Sequence, residues 1–307
     1  MHAKIRTWWG AMLLATGPLS ESYAAPPHPV VQLVHQKRYA EAVRAITERL
    51  AADPTDAGAL VGTIDLILAQ DPPGRLPEAR SAAERCLAAH PDNSTCAEAL
   101  GNVLAAQAGS GGIVASLGNA RSIRAAFERA VRLDPTNYRA RLSLLRFHLK
   151  APFFLGGSIV RARELAMEVQ RTDPDITRLM LALCAFDEDK LLDAEQYILA
   201  ANLEEYELAD SAHRDLLYRL AGAHLEAGRH ADSIRLFSEL NRRIPASEHG
   251  NYGLALVARA QGRLADASAF LDKAAAIAPK PYVYKAMGEV YQARNNAERR
   301  SAGPVSR

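Results

Sequence analysis

Nine histidines, three cysteines and 35 acidic residues offer the chemistry of this 307-residue chain, yet their spacing builds no familiar reactive centre. His224 and His230 in HLEAGRH stand six residues apart and so do not share a helix face, and no His-Glu-x-x-His pair is present to hold zinc. Gly156-Gly157-Ser158 lacks the strand–turn–helix setting of a nucleophilic serine. The GSGG run at Gly109 to Gly112 is not followed by the Gly-Lys-Ser/Thr of a phosphate loop. No cysteine, histidine and aspartate spacing suggests a nucleophile with its base. The acidic runs FDEDK and NLEEYELAD read as solvated turns and helix starts, and Asn93-Ser94-Thr95 is a glycosylation acceptor only in a host that glycosylates. The expectation is a binding protein with no catalytic residue, no metal and no cofactor.

The cysteines bear on compartment. Cys86 and Cys96 flank the turn HPDN, where one helix ends and the next begins, and could bond across it. They could equally be two small apolar core residues, as Cys184 on its apolar helix is expected to be. The first residues order themselves as a basic segment with Lys4 and Arg6, an apolar stretch TWWGAMLLATG, and then PLSESYAAPP, the order of a secretory signal peptide. Cleavage after Ala24 places Ser22 and Ala24 at the two positions that must be small. The apolar stretch is about half the roughly 20 residues a spanning helix needs, and no cysteine follows to carry a lipid. Cleavage removes Lys4, Arg6 and Glu21 and leaves the charge nearly balanced, as it is in the whole chain at +2. That balance, with no basic run, argues against nucleic acid as a partner. An Ala-, Arg- and Leu-rich composition suits a bacterial envelope protein, so the expected location is periplasmic or secreted, without stable membrane insertion after cleavage.

What must position any binding residues is a repeat. LAADPTD, LAAHPDN, VRLDPTN, VQRTDPD, NRRIPAS and AAIAPKP each carry a proline, at 54, 91, 135, 174, 245 and 279, spaced by 37, 44, 39, 71 and 34 residues. The 71 is two periods with one proline missing near Tyr206. Twelve residues before each proline stand Ala42, Ala79, Ile123, Ala162, Ser233 and Ala267; eight before, Ile46, Ala83, Phe127, Ala166, Phe237 and Leu271. Five before stand Arg49, Cys86, Ala130, Val169, Leu240 and Ala274, and Ala194, Ile198 and Ala201 keep the spacing in the unit without proline. Steps of four and three form one stripe of a helix, with small residues admitting a neighbour and large ones filling the gap. A proline then stops the helix.

GRLADASAFLDKAAAIAP and GRHADSIRLFSELNRRIP resemble the second half of the tetratricopeptide repeat, and AEALGNVLAAQ, with Leu100-Gly101, resembles its first helix. Leu217 and Asn251 depart from the large aromatic that often opens the first helix, and the first unit lacks a clear Leu-Gly pair. The resemblance implies an all-α, TPR-type helical-hairpin solenoid, a right-handed superhelix, over residues 25–293. It has about seven divergent repeats and a capping helix, YVYKAMGEVYQAR, after a leader at 1–24 and before a polar, unstructured tail at 294–307.

Two turns are enlarged. In the fourth unit Pro152 stops the first helix, Gly156 and Gly157 supply unusual backbone angles and Ser158 can cap the next helix, so APFFLGGS reads as an inserted loop. In the third unit AGSGGIVASLGNA reads as a related, longer insertion, with Asn119 able to cap the second helix of that unit. In a solenoid such insertions emerge on one rim, gathering Phe153, Phe154, Leu155, Ile113, Val114 and Leu117. Either they tuck their apolar residues against the solenoid, or Phe153, Phe154, Gly156 and Gly157 form a lip over the groove.

The resemblance further implies a protein or peptide partner in the groove lined by the first helix of each unit. Helical spacing places Arg139, Leu142, Arg146, Tyr218, Tyr252 and Arg259 there, residue types that mostly suit recognition, although Arg139 and Arg146 could equally just solvate their helix. Two functions compete. One is a non-enzymatic scaffold of envelope assembly, secretion or an adaptor role. The other is a periplasmic small-ligand carrier or accessory subunit of an uptake system, similar in its two glycine-rich insertions to the T-component of TRAP transporters. A carrier requires an apolar pocket beneath Phe153 and Phe154.

Overall fold

A computed structural model describes residues 28–70, 73–110, 112–203 and 207–301. The leader expected at 1–24, the last six residues, and the side chains of Ile113, Val114 and Leu117 lie outside what it describes. The described residues form helices and turns with no strand. They pair as α1 (Pro29–His35) with α2 (Tyr39–Ala52), α3 (Ala57–Gln70) with α4 (Leu76–Ala89), and α5 (Ser94–Ser110) with α6 (Gly112–Leu133). Then come α7 (Tyr138–Lys150) with α8 (Ile159–Met167), α9 (Pro174–Asp187) with α10 (Leu191–Ala200), α11 (Glu207–Glu226) with α12 (His230–Arg243), and α13 (His249–Ala260) with α14 (Leu264–Ile277). A single helix, α15 (Pro281–Ser301), closes the stack. This is a solenoid of seven hairpins. From α3 to α13 the first helix of each hairpin packs on both helices of the hairpin before it, so the odd-numbered helices share one face.

The linker chemistry explains the punctuation. In DPTD and DPTN the aspartate accepts from the threonine two residues on: Asp53 Oδ1 takes the Thr55 amide at 2.8 Å and hydroxyl at 2.6 Å, and Asp134 takes those of Thr136 at 2.8 and 2.7 Å. In these two linkers and in HPDN the last residue caps the next helix, Asp56, Asn93 and Asn137 accepting from Ala59, Cys96 and Ala140 at 2.7, 3.1 and 3.0 Å. The arginine of a following hairpin then seals the turn, as Arg85 does by donating to the Pro54 carbonyl at 2.5 Å and Arg129 to that of Pro91. Pro174 behaves differently from the other prolines: α8 stops early, at Met167, and Pro174 occupies the first turn of α9, where a missing amide costs nothing.

The stripe positions are buried throughout, apart from Arg49, which pairs with Asp56 at 2.6 Å. Close approach also needs glycine at particular points. A Cβ on Gly101 would sit 2.4 Å from the Phe127 ring, and one on Gly253 would sit 2.2 Å from that of Phe237. Gly253→Val is therefore expected to destabilise the chain by about 1–3 kcal/mol through overpacking, read as a lower urea midpoint at unchanged slope; an unchanged midpoint would contradict that packing.

Cys86 and Cys96 are joined in a disulfide, Cα–Cα 5.6 Å, tying the end of α4 to the start of α5. Cys184 is buried, and desolvation above all pushes its thiol up to about 12.

Two expectations are corrected. The tail is helical as far as Ser301, because Ala297, Glu298 and Arg299 continue α15 with good helix formers. The third-unit insertion is taken up by lengthening α5 to 17 residues and α6 to 22 rather than by a loop. A glycine in a helix costs only about 1 kcal/mol against alanine, and the neighbouring alanines and leucine favour helix.

Candidate functional site

The fourth-unit loop has the chemistry read for it. Ala151 turns to extended backbone (φ −72°, ψ 141°), Phe153–Leu155 make one 3-10 turn, Gly156 takes φ 99°, and the Ser158 hydroxyl caps α8 by accepting from Arg161 at 3.3 Å. A Cβ on Gly157 would fall 1.7 Å from the Ala151 carbonyl oxygen, so only glycine fits. His148 anchors the loop, its Nδ1 lying 3.1 Å from the Gly156 carbonyl and its own carbonyl accepting from the Ser158 amide at 2.9 Å. Phe153 and Phe154 do not tuck against the solenoid. They are 86% and 66% exposed and stand edge to face, because the tight turn sends consecutive side chains outward and only Leu155 back.

Leu155 helps wall a pocket of about 450 Å3 between α5, α6, α7 and the loop. Ala105, Ala108, Ile123 and Phe127 line its apolar side, with Asn102, Ser143, Arg146 and Lys150 at the polar side. Arg146 is exposed there, with no ion-pair partner among the described residues. Burial of its surroundings lowers its pKa, Asp215 opposing and Arg219 adding.

Arg139 of α7 does not stand on an open recognition surface. Arg139, assigned to the groove by spacing, is 16% exposed and held in an ion cluster. Its guanidinium reaches Asp65 of α3 at 2.6 Å, with a second, shorter bond, and Glu98 of α5 at 3.0 Å. Glu98 also accepts from Asn102, whose amide oxygen takes the Ser143 hydroxyl at 3.4 Å. Burial pushes Glu98 up, Arg139 opposing and Asp65 adding. Burial likewise disfavours the Arg139 charge, but Asp65 and then Glu98 outweigh it and hold the guanidinium firmly protonated. Leu142 is also corrected: it is buried in the core, because α7 is gripped by α5, α9 and α11 as well as by its own hairpin.

The C-terminal half is different. Tyr218 of α11, Tyr252 of α13 and the start of α15 converge into an aromatic tray. Tyr218 stands edge-on to Phe237 at 5.7 Å and to His249 at 5.3 Å; His249 lies 6.4 Å from Tyr282, and Tyr282 stands edge-on to Tyr252 at 4.8 Å. The Tyr282 hydroxyl donates to Glu248 Oε1 at 2.6 Å, fixing the ring. Burial would raise Glu248, but that bond and its neighbours hold it below the usual carboxylate range, while burial first and Glu248 second raise the Tyr282 phenol. Arg259, about two turns beyond Tyr252 along α13, pairs with Glu289 of α15. Tyr282, His249 and Glu248 are not among the residues that helical spacing nominates. The signal is present all the same: Tyr218, Tyr252 and Tyr282 succeed one another at 34 and 30 residues, close to one repeat.

A polar knot joins α10, α11 and α12. His224 Nε2 lies 3.1 Å from Glu195 and its Nδ1 3.9 Å from Asp232, yet burial above all, helped by Arg229, lowers its pKa below 6.5. Burial also leads in lowering His148. A histidine depressed in the fold contributes stability that is present above pH 6.5 and lost as pH falls through its folded value. Thermal midpoints measured at pH 7.5 and 5.5 are expected to show the wild type losing stability on acidification relative to His224→Gln; parallel losses would contradict the assignment. Among the described residues no group of three or more His, Cys, Asp and Glu side chains could hold a metal ion, and no described helix is long and apolar enough to cross a membrane.

A tetratricopeptide repeat family model matches residues 33–94 and a second matches 224–290. The chain therefore carries tetratricopeptide repeats in both of these segments. No curated protein matches it. Among solved structures it is similar to a chain of the APC/C hetero-tetramer Cut9–Hcn1 (14% identity, 85% of this chain and 48% of that one, TM-score 0.49). It is also similar to a tetratricopeptide repeat protein from Parabacteroides merdae (13%, 85% and 96%, 0.49) and to yeast Tom70 (16%, 88% and 61%, 0.49). The chain thus spans about half the length of the first of these.

Proposed function

We propose that this chain is a non-enzymatic scaffold of the bacterial envelope, which holds a protein or peptide partner across the tray of Tyr218, Tyr252 and Tyr282. The tetratricopeptide fold supports the interaction role, since repeats of this kind generally serve as protein-interaction scaffolds. The observation that carries the site is the convergence of three tyrosines from the first helices α11 and α13 and the closing helix α15, pre-set by ring contacts and by Glu248. Rigid tyrosines give large contact area at low entropic cost, the profile of an interface anchor. The leader and the oxidised Cys86–Cys96 pair support export to the periplasm. Assembly, secretion or adaptor work fits such a scaffold.

The test is recovery of the chain from its own periplasm, with native mass spectrometry and N-terminal sequencing. A co-purifying protein that is lost from the Tyr218→Ala, Tyr252→Ala variant, on a chain beginning at Ala25, is the expected result. A partner retained by the variant would overturn the site, and an uncleaved cytoplasmic chain would overturn the location. The carrier reading has one specific observation in its favour, the 450 Å3 pocket, although it lies under Leu155 rather than beneath Phe153 and Phe154.

A further inference from the structure

The pocket between α5, α6 and α7 is remote in sequence from the tyrosine tray and has its own chemistry. Its volume, about 450 Å3, lies in the roughly 300–1,000 Å3 range of small-molecule sites. One side is apolar, formed by Ile123, Phe127 and Leu155 among others. The other side presents two cations, of which Lys150 is already committed to Asp187 at 2.6 Å. Arg146 alone has no acidic partner within ion-pair distance among the described residues. Ser143 stands one turn before it, its hydroxyl only weakly engaged with Asn102 at 3.4 Å.

One unpaired guanidinium beside an apolar wall selects a single negative charge on an apolar body. A guanidinium fork matches a carboxylate through two parallel N–H···O bonds. A dianion is disfavoured, because only one cation is free and the Glu98–Asp65 carboxylates lie along the same hydrogen-bonded chain. We propose that this pocket binds a small free monocarboxylate with an apolar chain, its carboxylate on Arg146 and its chain against Ile123, Phe127 and Leu155. The inference stands apart from the scaffold assignment, since the tray residues take no part in it.

The probe is decanoate, titrated calorimetrically into the full mature chain below its micelle concentration, with decanamide as the uncharged match. Decanoate is expected to bind saturably at one site and more tightly than decanamide. Arg146→Gln should weaken decanoate at least tenfold while leaving decanamide unchanged, and Arg146→Lys should restore part of the difference. Because Arg146 is exposed and bonds to no acid, its variants should melt with the wild type, and circular dichroism checks that they do. The Tyr218→Ala, Tyr252→Ala variant should bind decanoate normally, which separates failure of this site from failure of the tray. Absence of saturable binding, equal affinity for acid and amide, or indifference to Arg146→Gln overturns the proposal. Tighter binding of a short leucine peptide through its free C-terminal carboxylate overturns the assignment to a free acid.

Discussion

Arg139→Ala is expected to destabilise the chain by about 3–5 kcal/mol, the range for removing one partner of a buried ion pair and stranding the other. The loss comes from Asp65 and Glu98, which remain buried at the seam of three hairpins with no arginine between them, His35 standing 4.0 Å from Asp65. For a chain of this size the thermal midpoint should fall by roughly 10 °C, and hydrogen exchange should quicken first in α3 and α5 rather than in α13 and α14. The sign of the pH dependence is set by Glu98, whose carboxyl burial already pushes up. Without Arg139 it rises further, so the stability it removes is missing at high pH and returns as pH falls toward its unfolded value. The variant's deficit should therefore shrink on acidification. Arg139→Met combined with Asp65→Asn and Glu98→Gln should recover most of the loss, since neutral groups of similar size leave no stranded charge. A single variant within about 1 kcal/mol of the wild type at neutral pH would show that water or rearrangement rescues the carboxylates.

The second large effect is on binding. Tyr218→Ala with Tyr252→Ala should weaken the partner by about 100-fold or more, because central tyrosine anchors cost about 2 kcal/mol or more each when truncated. Tyr218→Phe with Tyr252→Phe keeps the edge-to-face contacts to Phe237, His249 and Tyr282 and should lose far less. Affinity measured by calorimetry on both pairs distinguishes ring area from hydroxyl bonding. If alanine and wild type bind alike while both stay folded, the tray is not the site.

The repeat is legible in the sequence because a helix stripe needs residues only four and three positions apart, and Ala79, Ala83 and Cys86 or Ser233, Phe237 and Leu240 carry it locally. The linkers are legible for the same reason, their aspartates and asparagines acting on amides two or three residues away. The site is less so. Arg139 meets partners 41 and 74 residues earlier, and no local spacing distinguishes a groove arginine from one locked into a cluster. Leu142 is misplaced by spacing because α7 buries more than one face, against α5, α9 and α11. The outward turn of Phe153 and Phe154 depends on the hand of a single tight turn. Tyr218 and Tyr252 are recognisable as first-helix residues, whereas Tyr282 is hidden in a capping helix, although that helix continues the same face.

Partners are expected to dock on the face that carries Tyr218, Tyr252 and Tyr282. Site-specific photo-crosslinking in the native envelope tests it most directly, with a benzophenone side chain at Tyr252 and, as control, at Glu84 on the exposed side of the second helix α4. A discrete protein adduct from position 252, lost when Tyr218 and Tyr282 are both alanine and not formed from position 84, is the predicted result. Adducts of equal yield from both positions, or none from 252 while 84 gives one, would contradict it.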